Sequence, residues 1–350
     1  MNLSPISIKK SAVWLPKQFE TAEQIAEASG LPANVVSEKM GIHRKFRAPL
    51  ETQPSEMAVQ AARQVLEGID PDSVDALIWT GSEYKDHIVW SAGIFVQKQL
   101  GLKNAWAVDI GARCSTNVVG LMMAKSLMQT NPKLKRVLLC GGHKTGDLVN
   151  YKDPKSRFLY NLADGGSAVL LEKGDGNRIL ESSVITDGDF SLDVIVPAGG
   201  TRQRIRDGVK LEDTYLQVPN VESMRIRLER KSLPNFLSVI RGAAEASKPH
   251  QPIDYLGILH MKKSIHDEIL KQIELKAEQS VYLQDYGHFG APDQVLSLGL
   301  AERRNLLKPG AHVVLASAGI GYTWSAISVE WNEPCFVQSS LAGFEPSPRI

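Results

Sequence analysis

Val108-Asp-Ile-Gly-Ala-Arg-Cys-Ser-Thr-Asn-Val-Val119 is the stretch on which the reading of this chain turns. Ala105 to Asp109 has the length and composition of a short buried strand, and Thr116 to Gln129 continues as a helix. That helix is apolar nearly all round, from Val118 and Val119 through Leu121, Met122 and Met123 to Leu127 and Met128. A helix without a polar face belongs in the middle of a molecule rather than on its surface. Cys114 therefore stands directly behind a strand and at the first turn of a central helix. Gly111 and Ala112 are small enough to let the chain turn tightly there. Unpaired N–H groups and the dipole at a helix start stabilise a thiolate, which makes a cysteine so placed a candidate nucleophile. A cysteine is also a small hydrophobe that fills cores without doing chemistry, and position alone leaves both readings open. Cys140, before Gly141-Gly142, and Cys335, near the C-terminus, read as structural.

Around this centre the pattern alternates strand and helix. Ile6 to Trp14 reads as a strand, Thr21 to Ser29 as a helix, and Pro54 to Gly68 as an amphipathic helix with proline at its start and glycine at its end. Ala76 to Trp79, Arg136 to Cys140 and Ser167 to Glu172 read as strands, and Ile94 to Leu100 as a helix. The second half repeats the order of events. Asp254-Tyr-Leu-Gly-Ile-Leu echoes Asp75-Ala-Leu-Ile-Trp-Thr, Val281-Tyr-Leu-Gln-Asp echoes Ala107-Val-Asp, and His312 to Ala316 echoes Arg136 to Cys140. Val313 to Val329 reads as two buried strands and a turn, because serine, glycine and threonine interrupt it too often for a membrane span. The expectation is an α/β protein of two related βαβαβ-type halves, residues 1–175 and 176–350, packed as two mixed sheets with helices between and outside them. Thr201 to Gly242 has no counterpart in the first half and reads as an insertion or cap.

Composition narrows the function. Forty Lys and Arg against 39 Asp and Glu leave a net charge of +1, which gives no reason to expect nucleic acid or a charged membrane as partner. Three cysteines are too few for a disulfide framework, and the N-terminus MNLSPISIKKSAVWLPKQ lacks the apolar core of a secretion signal, so a cytoplasmic protein is expected. No histidine or cysteine spacing suggests a zinc site, and no metal is expected. A nucleophilic cysteine needs a base or an electrostatic partner. His260 ends the strand that begins at Asp254, and His288, in Tyr286-Gly-His-Phe-Gly-Ala-Pro, follows the segment that pairs by position with the one leading to Cys114. If the halves are related by a pseudo-twofold axis, all three residues face one pocket.

These motifs, in this order, resemble the ketoacyl synthase III (3-oxoacyl-acyl-carrier-protein synthase III) branch of the thiolase-like superfamily. Met40-Gly-Ile-His-Arg-Lys resembles that family's Thr-Gly-Ile-Arg-Glu-Arg segment, and Asp109 to Gly120 its nucleophile segment. Leu162-Ala-Asp-Gly-Gly-Ser-Ala-Val-Leu-Leu resembles its Phe-Gly-Asp-Gly-Ala-Gly-Ala-Ala-Val-Leu stretch, and Lys308-Pro-Gly with Gly319-Ile-Gly-Tyr-Thr-Trp its ending. The resemblance spans essentially the whole chain and implies a thiolase-like fold, layered αβαβα. It further implies that Cys114 accepts the acyl group and that His260 is the histidine of a His-Gln-Ala-Asn motif. The oxyanion hole would use the N–H groups of Cys114 and of Ile320, in the Gly319–Gly321 turn. Here Met-Lys-Lys-Ser follows His260, and His288 stands where the family usually has asparagine. The resulting Cys-His-His set resembles the ketoacyl synthase I and II branch, in which two histidines support decarboxylative condensation.

The function implied is transfer of an acyl group from a coenzyme A or carrier-protein thioester to Cys114, then condensation with a malonyl-type thioester to a β-ketoacyl product. Transfer of the acyl group to an O or N nucleophile is the alternative, and a non-catalytic partner subunit of the same fold is a third reading. No permanently bound cofactor is expected, the phosphopantetheine thioester being substrate, and a homodimer is expected. Lys39, Lys262 and Lys263 are the candidates for steering that donor. The basic residues Arg202, Arg204, Arg206, Arg225, Arg227, Arg230 and Lys231 either attract an acyl carrier protein or form a solvated face, since Glu212, Asp213, Glu222 and Glu229 are interspersed. In the family the segment matching Glu83 to Trp90 helps close the acyl tunnel.

Overall fold

The computed structural model describes residues 4–344. In chain order it contains β1 (Ile6–Trp14), β2 (Phe19–Thr21), α1 (Ala22–Ser29), β3 (Arg44–Phe46), α2 (Pro54–Leu66), β4 (Ala76–Trp79), α3 (Ala92–Gln99), β5 (Trp106–Asp109) and α4 (Thr116–Thr130). There follow β6 (Arg136–Lys144), β7 (Asp164–Lys173), β8 (Asn177–Thr186), α5 (Val221–Ser247), β9 (Tyr255–Ile258), α6 (Lys263–Gln272), α7 (Asp293–Arg303), β10 (Ala311–Gly319) and β11 (Thr323–Trp331). β2 and β3 pair on their own, and the other strands lie in the order β5-β4-β6-β7-β1-β8-β11-β10-β9. β1 meets β8 through Ser7 with Arg178 and Ile8 with Asn177. The two expected sheets are therefore linked at one narrow seam.

Strand senses match on either side of that seam. β4 runs parallel to β6, which is antiparallel to β7, while β9 runs parallel to β10, which is antiparallel to β11. Side chains alternate between faces with period two, and this alternation makes the layers. Ala76 and Ile78 of β4, Val137 and Leu139 of β6, and Val313 and Leu315 of β10 join one cluster with residues of α4 and α7. Leu77 and Trp79 of β4 and Leu138 and Cys140 of β6 face away, onto α2 and α3. Val314 and Ala316 of β10 face the other way, onto α5 and α6. Helices thus lie outside each sheet and between the two.

Three expectations change. Val281–Asp285 carries no strand ladder, because other groups take its backbone: the Tyr255 hydroxyl accepts from Val281 N–H at 3.2 Å, and Gln284 C=O accepts from His43 N–H at 2.9 Å. Much of 201–242 is not a cap. α5 packs on β8, β10 and β11 as α2 packs on β1, β6 and β7, so the helix does have a counterpart in the first half. The central helix α4 is not wholly enclosed, since Met123 and Leu127 are exposed in the single chain. β6 also runs on through Gly141-Gly142-His143 to Lys144. A β-carbon at Gly142 would fall 1.9 Å from the Pro54 carbonyl oxygen, so only glycine lets the start of α2 approach this closely.

Candidate active site

Cys114 lies in a one-turn helix, Arg113–Ser115, between β5 and α4. Arg113 holds φ +54°, a left-handed conformation that costs a non-glycine residue free energy and must be held by its surroundings. The hold is visible. Glu83 accepts from Arg113 N–H at 3.4 Å and pairs with its guanidinium at 3.1 Å, while Thr116 Oγ1 accepts from Ala112 N–H at 2.8 Å and donates to Arg113 C=O at 2.6 Å. Asp109, closing β5, accepts from Gly93 N–H at 2.8 Å and pairs with Lys85 at 2.8 Å, which ties the start of α3 and the 83–90 segment to the turn. Cys114 itself is half-buried.

His288 reaches this sulfur from the other half, with Nε2 3.1 Å from Sγ. Its backbone is clamped between Asn161 C=O, which accepts from His288 N–H at 2.7 Å, and Ala163 N–H, which donates to His288 C=O at 2.8 Å. The Leu162-Ala-Asp motif is itself anchored, since Asp164 accepts from Ala48 and Gly146 N–H, each at 2.9 Å. Asp293, fully buried as the first residue of α7, places Oδ2 2.6 Å from His288 Nδ1. The same carboxylate accepts from His260 N–H at 2.8 Å and Phe289 N–H at 3.1 Å, and it sits at a helix N-terminus, where negative charge is favoured. Burial alone would lower the pKa of His288, but the Asp293 carboxylate and then Cys114 hold it well above the ordinary value. The imidazole is therefore charged at neutral pH and donates from both nitrogens.

The two histidines are not equivalent. His260 is also buried and lines the same cavity, yet its Nε2 lies 2.9 Å from Gly41 C=O and its Nδ1 3.1 Å from Asn161 Nδ2. An amide N–H donating to Nδ1 leaves the proton on Nε2, committed to Gly41. Burial pushes the pKa of His260 down to about 4, so it is neutral. His288 thus turns its Nε2 toward the Cys114 sulfur, whereas His260 spends its N–H on the backbone. Gly41 has φ +73°, and a β-carbon there would collide with the Tyr282 hydroxyl, which is why glycine stands at the contact.

The Gly319–Gly321 turn lies over Cys114. A β-carbon on Gly319 would be 3.1 Å from Cys114 N, and Ser317 Oγ donates to Cys114 C=O at 2.7 Å. Ile320 lines the cavity with Cys114, His260 and His288. The cavity has a volume of about 1240 Å³. Lys39 and Lys262 are exposed on its wall, hence at its rim. Lys263 instead pairs with Asp267 at 2.7 Å. The basic cluster is largely neutralised from within: Arg225 pairs with Glu222 and Glu229, Arg204 with Asp207, Arg227 with Asp193, and Lys231 with Asp187. Cys140 and Cys335 are buried with raised pKa values, that of Cys140 pushed up to about 12 by burial, and neither lines the cavity.

Asp293 and Asn161 complete the site, and the sequence reading missed both. Pro292-Asp293 marks a helix start, but nothing in the order of residues says that its carboxylate points back to His288. Asn161 precedes the glycine-rich motif without any pattern of its own.

Two family models match the chain, one described as 3-Oxoacyl-[acyl-carrier-protein (ACP)] synthase III over residues 108–188 and one as its C-terminal part over residues 244–331. Among curated proteins, a Beta-ketoacyl-[acyl-carrier-protein] synthase III from Trichormus variabilis is 25% identical over 331 residues, covering 93% of this chain and 98% of its own. A protein of the same name from Erythrobacter litoralis is 26% identical over 333 residues, covering 93% and 99%. The crystal structure of 3-oxoacyl-[acyl-carrier-protein] synthase III from Aquifex aeolicus superposes with a TM-score of 0.79 at 23% identity, covering 93% of this chain and all of that one. The priming β-ketosynthase of the R1128 polyketide pathway superposes with a TM-score of 0.82 at 15% identity, covering 95% and 98%. At such identities the solved structures establish the fold, and the family models and curated relatives point to one kind of chemistry.

Proposed function

We propose that the chain is a ketoacyl synthase III-like enzyme of the thiolase fold, which moves an acyl group from a thioester onto Cys114 and condenses it with a malonyl-type thioester. The observation that carries this reading is the chain of contacts from Cys114 Sγ through His288 to the buried Asp293. A charged imidazole 3.1 Å from the sulfur supplies the electrostatic partner that a nucleophilic cysteine requires. The thiolate attacks the thioester carbonyl, oxyanion charge falls on the N–H groups of Cys114 and Ile320, and the C–S bond to the donor breaks. His288 gives its Nε2 proton to the departing thiolate, which leaves as the free thiol.

Once acylated, the sulfur no longer carries charge, and His288, neutral after that transfer, keeps its Nδ1–H on Asp293. A second thioester then enters. Loss of CO₂ from its malonyl group places negative charge on the thioester oxygen, and proton uptake from solvent returns His288 to the form that donates to this oxygen. The carbanion attacks the acyl-cysteine carbonyl, the new C–C bond forms, and the Cys114 thiolate leaves. His260, neutral and tied to Gly41 and Asn161, keeps the opposing wall in place. In this reading it is a positioning residue rather than a second enolate donor. The names of the relatives favour condensation over transfer to an O or N nucleophile, and a nucleophile held beside a charged imidazole is unneeded in a non-catalytic partner.

Acyl-CoA or an acyl carrier protein is the donor we assign, with Lys39 and Lys262 at the rim attracting the phosphopantetheine phosphates. Lys263, paired with Asp267, contributes less. We read residues 1–175 and 176–350 as two halves of one catalytic unit. We also read the enzyme as a cytoplasmic homodimer. Its support is β5, an edge strand with Trp106 and Val108 exposed, together with the exposed Met123 and Leu127 of α4. No helix among the described residues is long and apolar enough to cross a membrane. Intact-protein mass spectrometry after incubation with acyl-CoA and acyl-carrier donors tests the reading. An adduct that disappears in Cys114→Ala is expected, and no Cys114-dependent adduct with any donor would overturn it.

A further inference from the structure

The wall of the cavity carries a buried polar group that the mechanism above leaves idle. His143, near the end of β6, is 3% exposed and lines the same cavity as Cys114 and His288. Its Nε2 has no hydrogen-bond partner. The ring packs against the chain two residues beyond His288: Gly290 has φ +86°, and a β-carbon there would fall 2.5 Å from His143 Nδ1. Burial, and then the charge of His288, push the pKa of His143 down to about 3 against the opposing effect of a backbone hydrogen bond with Thr80, so the ring is neutral, with one N–H and one lone pair between its two nitrogens and Nε2 the one left without a partner.

A buried nitrogen left without a partner costs free energy, and native proteins keep few of them. Its surroundings are polar as well. Ser82, just beyond β4, and Thr145, just beyond β6, line the cavity alongside it, whereas Val194, Leu216, Leu228 and Phe236 give the cavity an apolar wall elsewhere. Lys39 and Lys262 stand exposed at the rim, where we place the entry of the thioester arms, whereas His143 is almost fully buried in the wall of the same cavity, where we place the part of the substrate that passes beyond the sulfur. That part of the substrate is the acyl chain, which stays bound through both half-reactions while the second thioester comes and goes.

We propose that His143 is a specificity-determining residue whose Nε2 hydrogen-bonds an oxygen substituent, hydroxyl or oxo, on the acyl chain carried by Cys114, making oxygenated acyl thioesters the preferred primers. The inference rests on Cys114 as the acyl acceptor and names the substrate class of that site. A site that pairs with a substrate hydroxyl rejects the analogue lacking it, because the protein group is then left unpaired. A plain alkyl chain would leave Nε2 as bare as it is in the free enzyme.

The test compares acylation of Cys114 by 3-hydroxybutyryl-CoA, 3-oxobutyryl-CoA and butyryl-CoA, followed by intact mass, in the wild type, His143→Phe and His143→Gln. The wild type should favour at least one oxygenated donor over butyryl by about tenfold or more. His143→Phe should reduce that ratio to within about threefold, and His143→Gln, which keeps a hydrogen-bonding side chain, should retain part of it. Iodoacetamide labelling of Cys114 should be unchanged in both variants. The melting temperature of His143→Phe should match or exceed that of the wild type, since an unpartnered polar group has been removed. Equal wild-type rates with all three donors, a ratio unmoved by His143→Phe, or loss of malonyl condensation with unchanged primer preference would each overturn the proposal. Iodoacetamide labelling without acylation by any donor would instead overturn the reading of Cys114 as acyl acceptor, and this inference with it.

Discussion

The turns ahead of α4 and ahead of α7 occupy matching places in the two halves and meet at one sulfur, yet they are built from opposite materials. The turn carrying Cys114 is held by half-exposed polar contacts around a left-handed Arg113, and the helix behind it shows Met123 and Leu127 to the outside. The turn carrying His288 is held by a carboxylate with no exposure, and α7 is buried at every position from Asp293 to Ala301. The difference follows from what each side must do. In the proposed reaction Cys114 has to be reached by substrate, so its support is local and open. An imidazole that must stay charged and aimed needs a buried counter-charge, whose desolvation is offset only by several hydrogen bonds.

Removing either side should break the comparison at once. Cys114→Ala should abolish the acyl adduct and lower product formation by about a thousandfold or more, as measured by intact mass and a condensation assay. Asp293→Asn keeps the shape but not the charge, and a loss of about a hundredfold or more is expected. That variant also has a pH signature. The carboxylate holds the His288 pKa above its ordinary value, so the charged imidazole persists to higher pH in the wild type. In Asp293→Asn the imidazolium-dependent labelling of Cys114 by iodoacetamide should therefore fade at lower pH, and a coincident profile would remove Asp293 from the mechanism.

The open side of the first half can be tested separately. Val108→Lys places a charge on the exposed edge of β5, and sedimentation should show a shift from dimer toward monomer; an unchanged dimer would move the interface elsewhere. The smallest effects concern stability. His260 and His266 have pKa values pushed down to about 4 by burial, below the ordinary value near 6.5. The unfolded chain then binds more protons, so their contribution is full above about pH 6.5 and is lost as pH falls toward about 4. His288 works the other way, its contribution present below about pH 6.5 and lost as pH rises through its higher folded value. The melting temperature should fall through the acid window, less steeply in His266→Gln.

Much of this was legible in the order of residues. The strand–turn–helix around Cys114, the repeated sequence of elements and the glycine-rich segments at 163–166 and 319–321 are local patterns, and local patterns survive in a sequence. Val281–Asp285 misled because strand propensity does not reveal that a tyrosine hydroxyl and a neighbouring segment will take its backbone groups. α5 misled in another way, since its charged residues read as a cap while its apolar face, with Phe236, Val239, Ile240 and Ala243, packs on the sheet.

By itself, then, the sequence determined the α/β class, the place of Cys114 at a helix start and the two candidate histidines, because each depends on neighbours a few residues away. The tertiary structure decided how those histidines differ. Asp293 and Gly41 lie far apart in the chain, yet one charges His288 and the other occupies His260, and the unpartnered nitrogen of His143 is visible only once the walls around it are in place. Charge state, orientation and the absence of a partner depend on what surrounds a group in three dimensions, and that is information the linear order does not carry.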